Sequence, residues 1–141
     1  YLCVTRAFFE FFSTCTSTNL VQSALIVFND WTSQEIKILN NSRFAEIDWI
    51  VGPIPIDDQL GKEIVIRYDT DIASNSYFYT DANGREMVQR KRDYRFSYNY
   101  TVYENVSGNY CPIPSRIWIN DTQRQLTILT GEYTDMQSNT I

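Results

Sequence analysis

The chain has 141 residues, a net charge of −5 and no histidine. The missing imidazole excludes Ser-His and Cys-His catalytic pairs and every histidine metal ligand, and three scattered cysteines do not supply the usual zinc sets. Twelve basic against 17 acidic residues argue against a general nucleic-acid binder, and 15% aromatics with only nine Gly and Pro describe a β-rich single domain.

The chain starts at Tyr1 rather than Met, which predicts a fragment or a processed product. Ala7-Phe8-Phe9-Glu10-Phe11-Phe12 is apolar but far shorter than the roughly 20 residues of a membrane span. It also lacks the layout of a signal peptide, so no membrane span is expected and residues 1–20 form an N-terminal segment without a clear pattern.

From there the strand signal dominates. Val21–Phe28 reads as a strand that turns at Asn29-Asp30, Glu35–Leu39 alternates, and Arg43–Val51 is a longer β-prone run. Gly52-Pro53-Ile54-Pro55 ends that run, because two prolines so close forbid a central strand. Lys62–Tyr68 follows as a predicted strand with Ile64, Ile66 and Tyr68 on one face. Tyr77–Val88 reads as a hairpin, since Asn83-Gly84 readily takes the two positive φ angles of a type I′ turn. Tyr94–Val102 alternates cleanly, with Tyr94, Phe96, Tyr98, Tyr100 and Val102 on one face and Asn99 on the polar one. Arg116–Ile119 and Gln125–Leu129 read as a second hairpin around Asn120-Asp121-Thr122-Gln123. No segment sustains a 3.6-residue apolar period. The predicted class is all-β, an antiparallel β-sandwich.

Four sequons, at Asn40, Asn99, Asn105 and Asn120, are candidate N-glycosylation sites and point to the secretory route. Cys3, Cys15 and Cys111 leave one thiol over, or a partner outside the chain.

Candidate chemistry is sparse. Asp57, Asp58, Asp69, Asp71 and Asp81 are numerous enough for a glycosidase pair, which needs two carboxyls about 5–9 Å apart, yet Asp57-Asp58 reads as a turn. Arg90, Lys91, Arg92 and Arg95 beside the aromatic face have the composition of a single-strand-binding surface, but the acidic total favours a solvated strand end. No EF-hand, P-loop or GxGxxG spacing is present. Tyr110-Cys111-Pro112 marks a tight corner between Gly108 and Pro114.

Several blocks, in order and with agreeing spacing, resemble the C-terminal β region of glycoside hydrolase family 38, the α-mannosidases, with a lysosomal cast. They are Trp49-Ile50-Val51-Gly52-Pro53-Ile54-Pro55 with Gly61-Lys62-Glu63, and Phe78-Tyr79-Thr80-Asp81-Ala82-Asn83-Gly84-Arg85-Glu86 running into Arg90–Arg95. Gly108-Asn109-Tyr110-Cys111-Pro112, Ser115–Ile119 and Leu126–Thr130 complete the series. The resemblance covers residues 21–130, leaving 1–20 and a divergent tail, 131–141, outside it. It implies an incomplete sandwich taken from a larger multidomain enzyme. That enzyme is a zinc-dependent retaining glycosidase acting on terminal α-D-mannose of N-glycans, with zinc and the catalytic carboxylates in a separate α/β domain. On that reading the chain has no catalytic residue, no metal ligand and no cofactor of its own. Its partners are the α/β domain and mannose-containing N-glycans, and its location is the lysosome or the secretory pathway. In the family this loop carries two tyrosines before the proline and approaches the bound sugar. Here Tyr110 matches the first and is the candidate sugar contact, while Cys111 replaces the second, so that the contact is missing if the second tyrosine makes it. The alternative reading is a free-standing secreted sandwich that binds a glycan or a protein. A third is that the fragment does not fold alone, since an open sandwich exposes edges and apolar faces.

Overall fold

A computed structural model describes residues 12–62, 64–131 and 136–137. Cys3, the apolar opening up to Phe11 and most of the tail therefore lie outside the described residues. The chain divides into two compact units, Tyr1–Val65 and Ile66–Ile141.

The first unit is a four-stranded antiparallel meander of β1 (Phe12–Ser17), β2 (Val21–Asn29), β3 (Thr32–Leu39) and β4 (Ala45–Val51), in that spatial order. Its register puts Ala24 opposite Ile36, and Ile36 opposite Ile47, on one face. Glu35 pairs with Asp48 and Lys37 with Glu46 on the other. Lys37 also binds the Asp48 carboxylate at 2.6 Å, an ion pair that links β3 to β4 across the charged face. The strand β1 lies wholly within residues 1–20, the segment the sequence left unassigned. It pairs with β2 from Phe12 opposite Val27 to Ser17 opposite Gln22.

The second unit carries β5 (Tyr77–Asp81), β6 (Met87–Lys91), β7 (Pro112–Ile113), β8 (Arg116–Asn120), β9 (Gln125–Leu129) and β10 (Met136–Gln137). Its main sheet runs β6-β5-β8-β9, and β7 pairs with β10. The class is all-β as expected, with an antiparallel four-stranded sheet in each unit. The buried core of the described residues consists of Phe78, Cys111, Ile113 and Ile117, with Ile119 and Ile128 packed against it.

Both predicted hairpins form. Asn83 and Gly84 have φ of 53° and 72°, and the Arg85 amide donates to the Ala82 carbonyl at 3.0 Å, the closure of a turn with two left-handed central residues. In the second hairpin the Asp121 carboxylate accepts the amides of Gln123 and Arg124 at 2.8 and 2.7 Å.

Two predicted strands do not form. Among the described residues of Lys62–Tyr68 no strand is assigned, although Ile64 and Ile66 are half-buried and Val65 is exposed. Tyr94–Val102 forms no strand either. The chain reverses at Arg92-Asp93, where Asp93 takes φ of 58°, and only one isolated bridge joins Lys91 to Tyr94. The aromatic face is then largely in water.

Candidate functional site

The loop from Arg92 to Cys111 is built around two side-chain clamps. In the first, the Asn109 side-chain amide donates to the Asp93 carboxylate at 2.8 Å and to the Asn105 carbonyl at 3.0 Å, while its oxygen accepts the Asp93 amide at 2.9 Å. Asn109 is only 2% exposed, so these bonds meet the demand of a buried amide. In the second, the Gly108 carbonyl accepts from the Tyr100 hydroxyl at 3.0 Å and from the Arg95 guanidinium. The Arg95 guanidinium lies 4.5 Å from the centre of the Tyr100 ring, a cation–π geometry. A Cβ at position 108 would meet the Tyr100 hydroxyl, so a larger residue there would have to displace that side chain.

These clamps deliver Tyr110. Residues Ser107–Asn109 form a single 3-10 turn, and Tyr110 leaves it in extended backbone with φ of −69° and ψ of 131°. Tyr110 is half-buried, whereas the next residue, Cys111, is 6% exposed and packs into the core. The tight corner read from Gly108 and the prolines is therefore real, and its two residues point to different surroundings.

The candidate carboxylates are dispersed into structural contacts. Asp81 is 3% exposed and binds the end of the first hairpin to the start of β8. One of its oxygens accepts the amides of Ser115 and Arg116 at 2.8 and 3.0 Å, and the other accepts the Gly84 amide at 3.0 Å. Loss of water is the largest effect on it and pushes its pKa up, but the three amides and the Ser115 hydroxyl together outweigh it and hold the pKa at about 2. Asp58 lies in a turn and binds Lys62 at 2.7 Å, which lowers its pKa. Asp71 receives a two-pronged contact from Arg124 at 2.8 and 3.0 Å, which lowers its pKa in the same way. Asp69 pairs with Arg67 at 2.7 Å, and Asp57 lies in the same turn as Asp58. A glycosidase acid must hold its proton near neutrality. The shifts at Asp58, Asp71 and Asp81 run the other way.

The basic run is also engaged locally. The Arg90 guanidinium donates to the buried Thr80 hydroxyl at 2.9 Å, and Lys91 sits 5.0 Å from the Tyr77 ring centre. Arg92 contacts Asp93 at 3.6 Å, and Arg95 belongs to the Gly108 clamp. Asn40, Asn99, Asn105 and Asn120 are all exposed, as a glycan acceptor must be. Cys15 is exposed and Cys111 is a buried thiol.

No three Cys, Asp or Glu side chains gather into a metal-holding group among the described residues, and the chain has no histidine. These residues do not fit a zinc site. Among the described residues no helix is long and apolar enough to cross a membrane.

Sequence reasoning missed the roles of Asp81, Asn109 and Arg95. The first had a signal: an Asp two residues ahead of Asn-Gly is placed to accept amides from the turn it opens. The other two depend on contacts 13 to 16 residues apart, for which the sequence shows no pattern.

The chain is all-β, its candidate carboxylates brace turns and hairpins, and a clamped loop presents Tyr110. The sequence matches the family described as glycosyl hydrolases family 38 C-terminal domain over residues 6–140, beyond the motif blocks at both ends, and the chain belongs to that family. It is 46% identical to lysosomal alpha-mannosidase of Cavia porcellus over 118 residues, 80% of this chain and 12% of that protein. Against lysosomal alpha-mannosidase of Homo sapiens it is 45% identical over 113 residues, 80% of this chain and 11% of that protein. The alpha-mannosidase of Canavalia ensiformis is 38% identical over 107 residues, 76% of this chain and 11% of the relative. The chain thus spans about a tenth of the length of the curated relatives it matches.

Proposed function

We propose that this chain is the non-catalytic β portion of a zinc-dependent retaining α-mannosidase that removes terminal α-D-mannose from N-glycans in the lysosome or elsewhere on the secretory route. The observation that carries this reading is the family match over residues 6–140. Zinc, the nucleophile and the acid/base belong on this reading to an α/β domain outside the chain. The metal would orient the sugar there, while the residues described above hold a loop against that domain. The chain is inactive alone. It supports turnover by presenting Tyr110 to the sugar from a loop whose conformation the Asn109 and Gly108 clamps fix before substrate arrives. Cys111 faces the core, so Tyr110 is the member of the pair that remains to make the contact.

In the whole enzyme, Tyr110→Ala is expected to lower kcat/KM for an α-mannoside by about tenfold or more, the loss of roughly 1.4 kcal/mol of transition-state binding. Tyr110→Phe separates loss of the hydroxyl from loss of the ring. Unchanged kinetics in the alanine variant would remove Tyr110 from the sugar site.

A further inference from the structure

The two most exposed large apolar side chains among the described residues are Phe96, at 94%, and Tyr103, at 87%. Both stand on the clamped loop rather than at a chain end, and rings this exposed are available to pack against an attached group. Each lies just ahead of a sequon, in Phe96-Ser97-Tyr98-Asn99-Tyr100-Thr101 and in Tyr103-Glu104-Asn105-Val106-Ser107. Along the backbone Phe96 is at most about 11 Å from Asn99, and Tyr103 at most about 7 Å from Asn105. An asparagine-linked sugar reaches across such gaps. The backbone beside both sequons is held in place. The Gly108 amide donates to the Glu104 carbonyl at 3.0 Å, Asn109 donates to the Asn105 carbonyl, and Tyr100, next to Asn99, is fixed by Gly108 and Arg95. Both asparagines and both hydroxyl residues, Thr101 and Ser107, are exposed.

We propose that Asn99 and Asn105 carry N-glycans whose first N-acetylglucosamine packs on Phe96 and Tyr103, so that the sugar is a structural cover for the loop that presents Tyr110. An N-acetylglucosamine offers one face of C–H bonds to a ring, and its polar edge stays in water. In the attachment step the asparagine Nδ2 bonds to C1 of the sugar of a lipid diphosphate-linked oligosaccharide. The bond from C1 to the diphosphate oxygen breaks, the lipid diphosphate leaves, and the amide gives up one proton. The inference rests on the secretory part of the proposed function.

The test uses the full chain, sent through a eukaryotic secretory route by an added signal sequence, so that it stands whatever the native location. Glycopeptide mass spectrometry reads occupancy. The folded protein is then either trimmed to one N-acetylglucosamine per site by an endoglycosidase or stripped completely by an amidase. Trimming is expected to leave the thermal midpoint within about 1 °C, and stripping to lower it by about 2–4 °C and to raise binding of a hydrophobic dye. Asn105→Gln and Tyr103→Ala are each expected to reproduce the loss, and together to lose no more than either alone. Ser107→Ala, which keeps Asn105 but ends its sequon, should match Asn105→Gln, and Tyr103→Phe should match the parent. The same cycle applies to Phe96→Ala with Asn99→Gln. Empty sites in the secreted, folded protein would overturn the proposal, as would additive losses. Low dye binding after complete stripping would also overturn it, since another segment or partner would then cover the rings. Native protein found outside the secretory route would remove the localisation reading alone.

Discussion

At Asp81 a carboxylate leaves water and stays charged. Its folded pKa of about 2 lies below the ordinary 3.8, so its ionised form stabilises the fold above about pH 4, and that contribution is lost as pH falls towards 2. Asp58 and Asp71, lowered as well, act in the same direction. The chain has no histidine, so no side chain with an ordinary pKa changes charge between about pH 5 and 7. The unfolding midpoint is expected to be nearly flat there and to fall steeply below pH 4. Asp81→Asn should lower the plateau and flatten the acid fall, and Asp81→Ala should lower the plateau further by leaving three amides unpaired. An equally steep acid fall in Asp81→Asn would show that other carboxylates dominate. Gly108 makes a sharper steric case. Gly108→Ala drives a methyl group into the Tyr100 hydroxyl and should cost about 1–3 kcal/mol in denaturant unfolding. Adding Tyr100→Phe, which deletes that hydroxyl, should return most of the loss.

Among the elements, β5 matters most, because it pairs with both β6 and β8 and carries Phe78. Its Tyr79 ring stacks on Trp118 of β8 at 3.7 Å between centres. Phe78→Ala should cost about 3–5 kcal/mol, measured by urea unfolding. A smaller loss would mean that the core collapses around the gap. The elements also show what was legible in the sequence. The hairpin at Asn83-Gly84 and the one at Asp121 were readable because their turns need residue types that few other structures favour. The strands β2, β3 and β4 were readable from their apolar runs and the proline stop. The failures at Lys62–Tyr68 and Tyr94–Val102 share one cause. Period-2 alternation shows which side chains could share a face, but a strand exists only if a neighbour supplies the ladder. Of the candidate site, Tyr110 was found through its motif. The clamps that hold it were not, because Asn109 and Arg95 act on partners remote in sequence.

For the whole molecule, the proposed function assigns the chemistry to residues outside this chain, which itself has no histidine. The chain belongs to the family 38 C-terminal domain, while its candidate carboxylates are committed to turns, arginines and backbone amides. The central claim is therefore a division of labour between this β portion and a catalytic part outside it. Hydrolysis of a chromogenic α-mannoside tests it most directly, with the 141-residue chain assayed alone and then co-expressed with the rest of its polypeptide. No turnover is expected from the chain alone, and turnover when the remainder is supplied. Steady hydrolysis by the purified chain alone would contradict it.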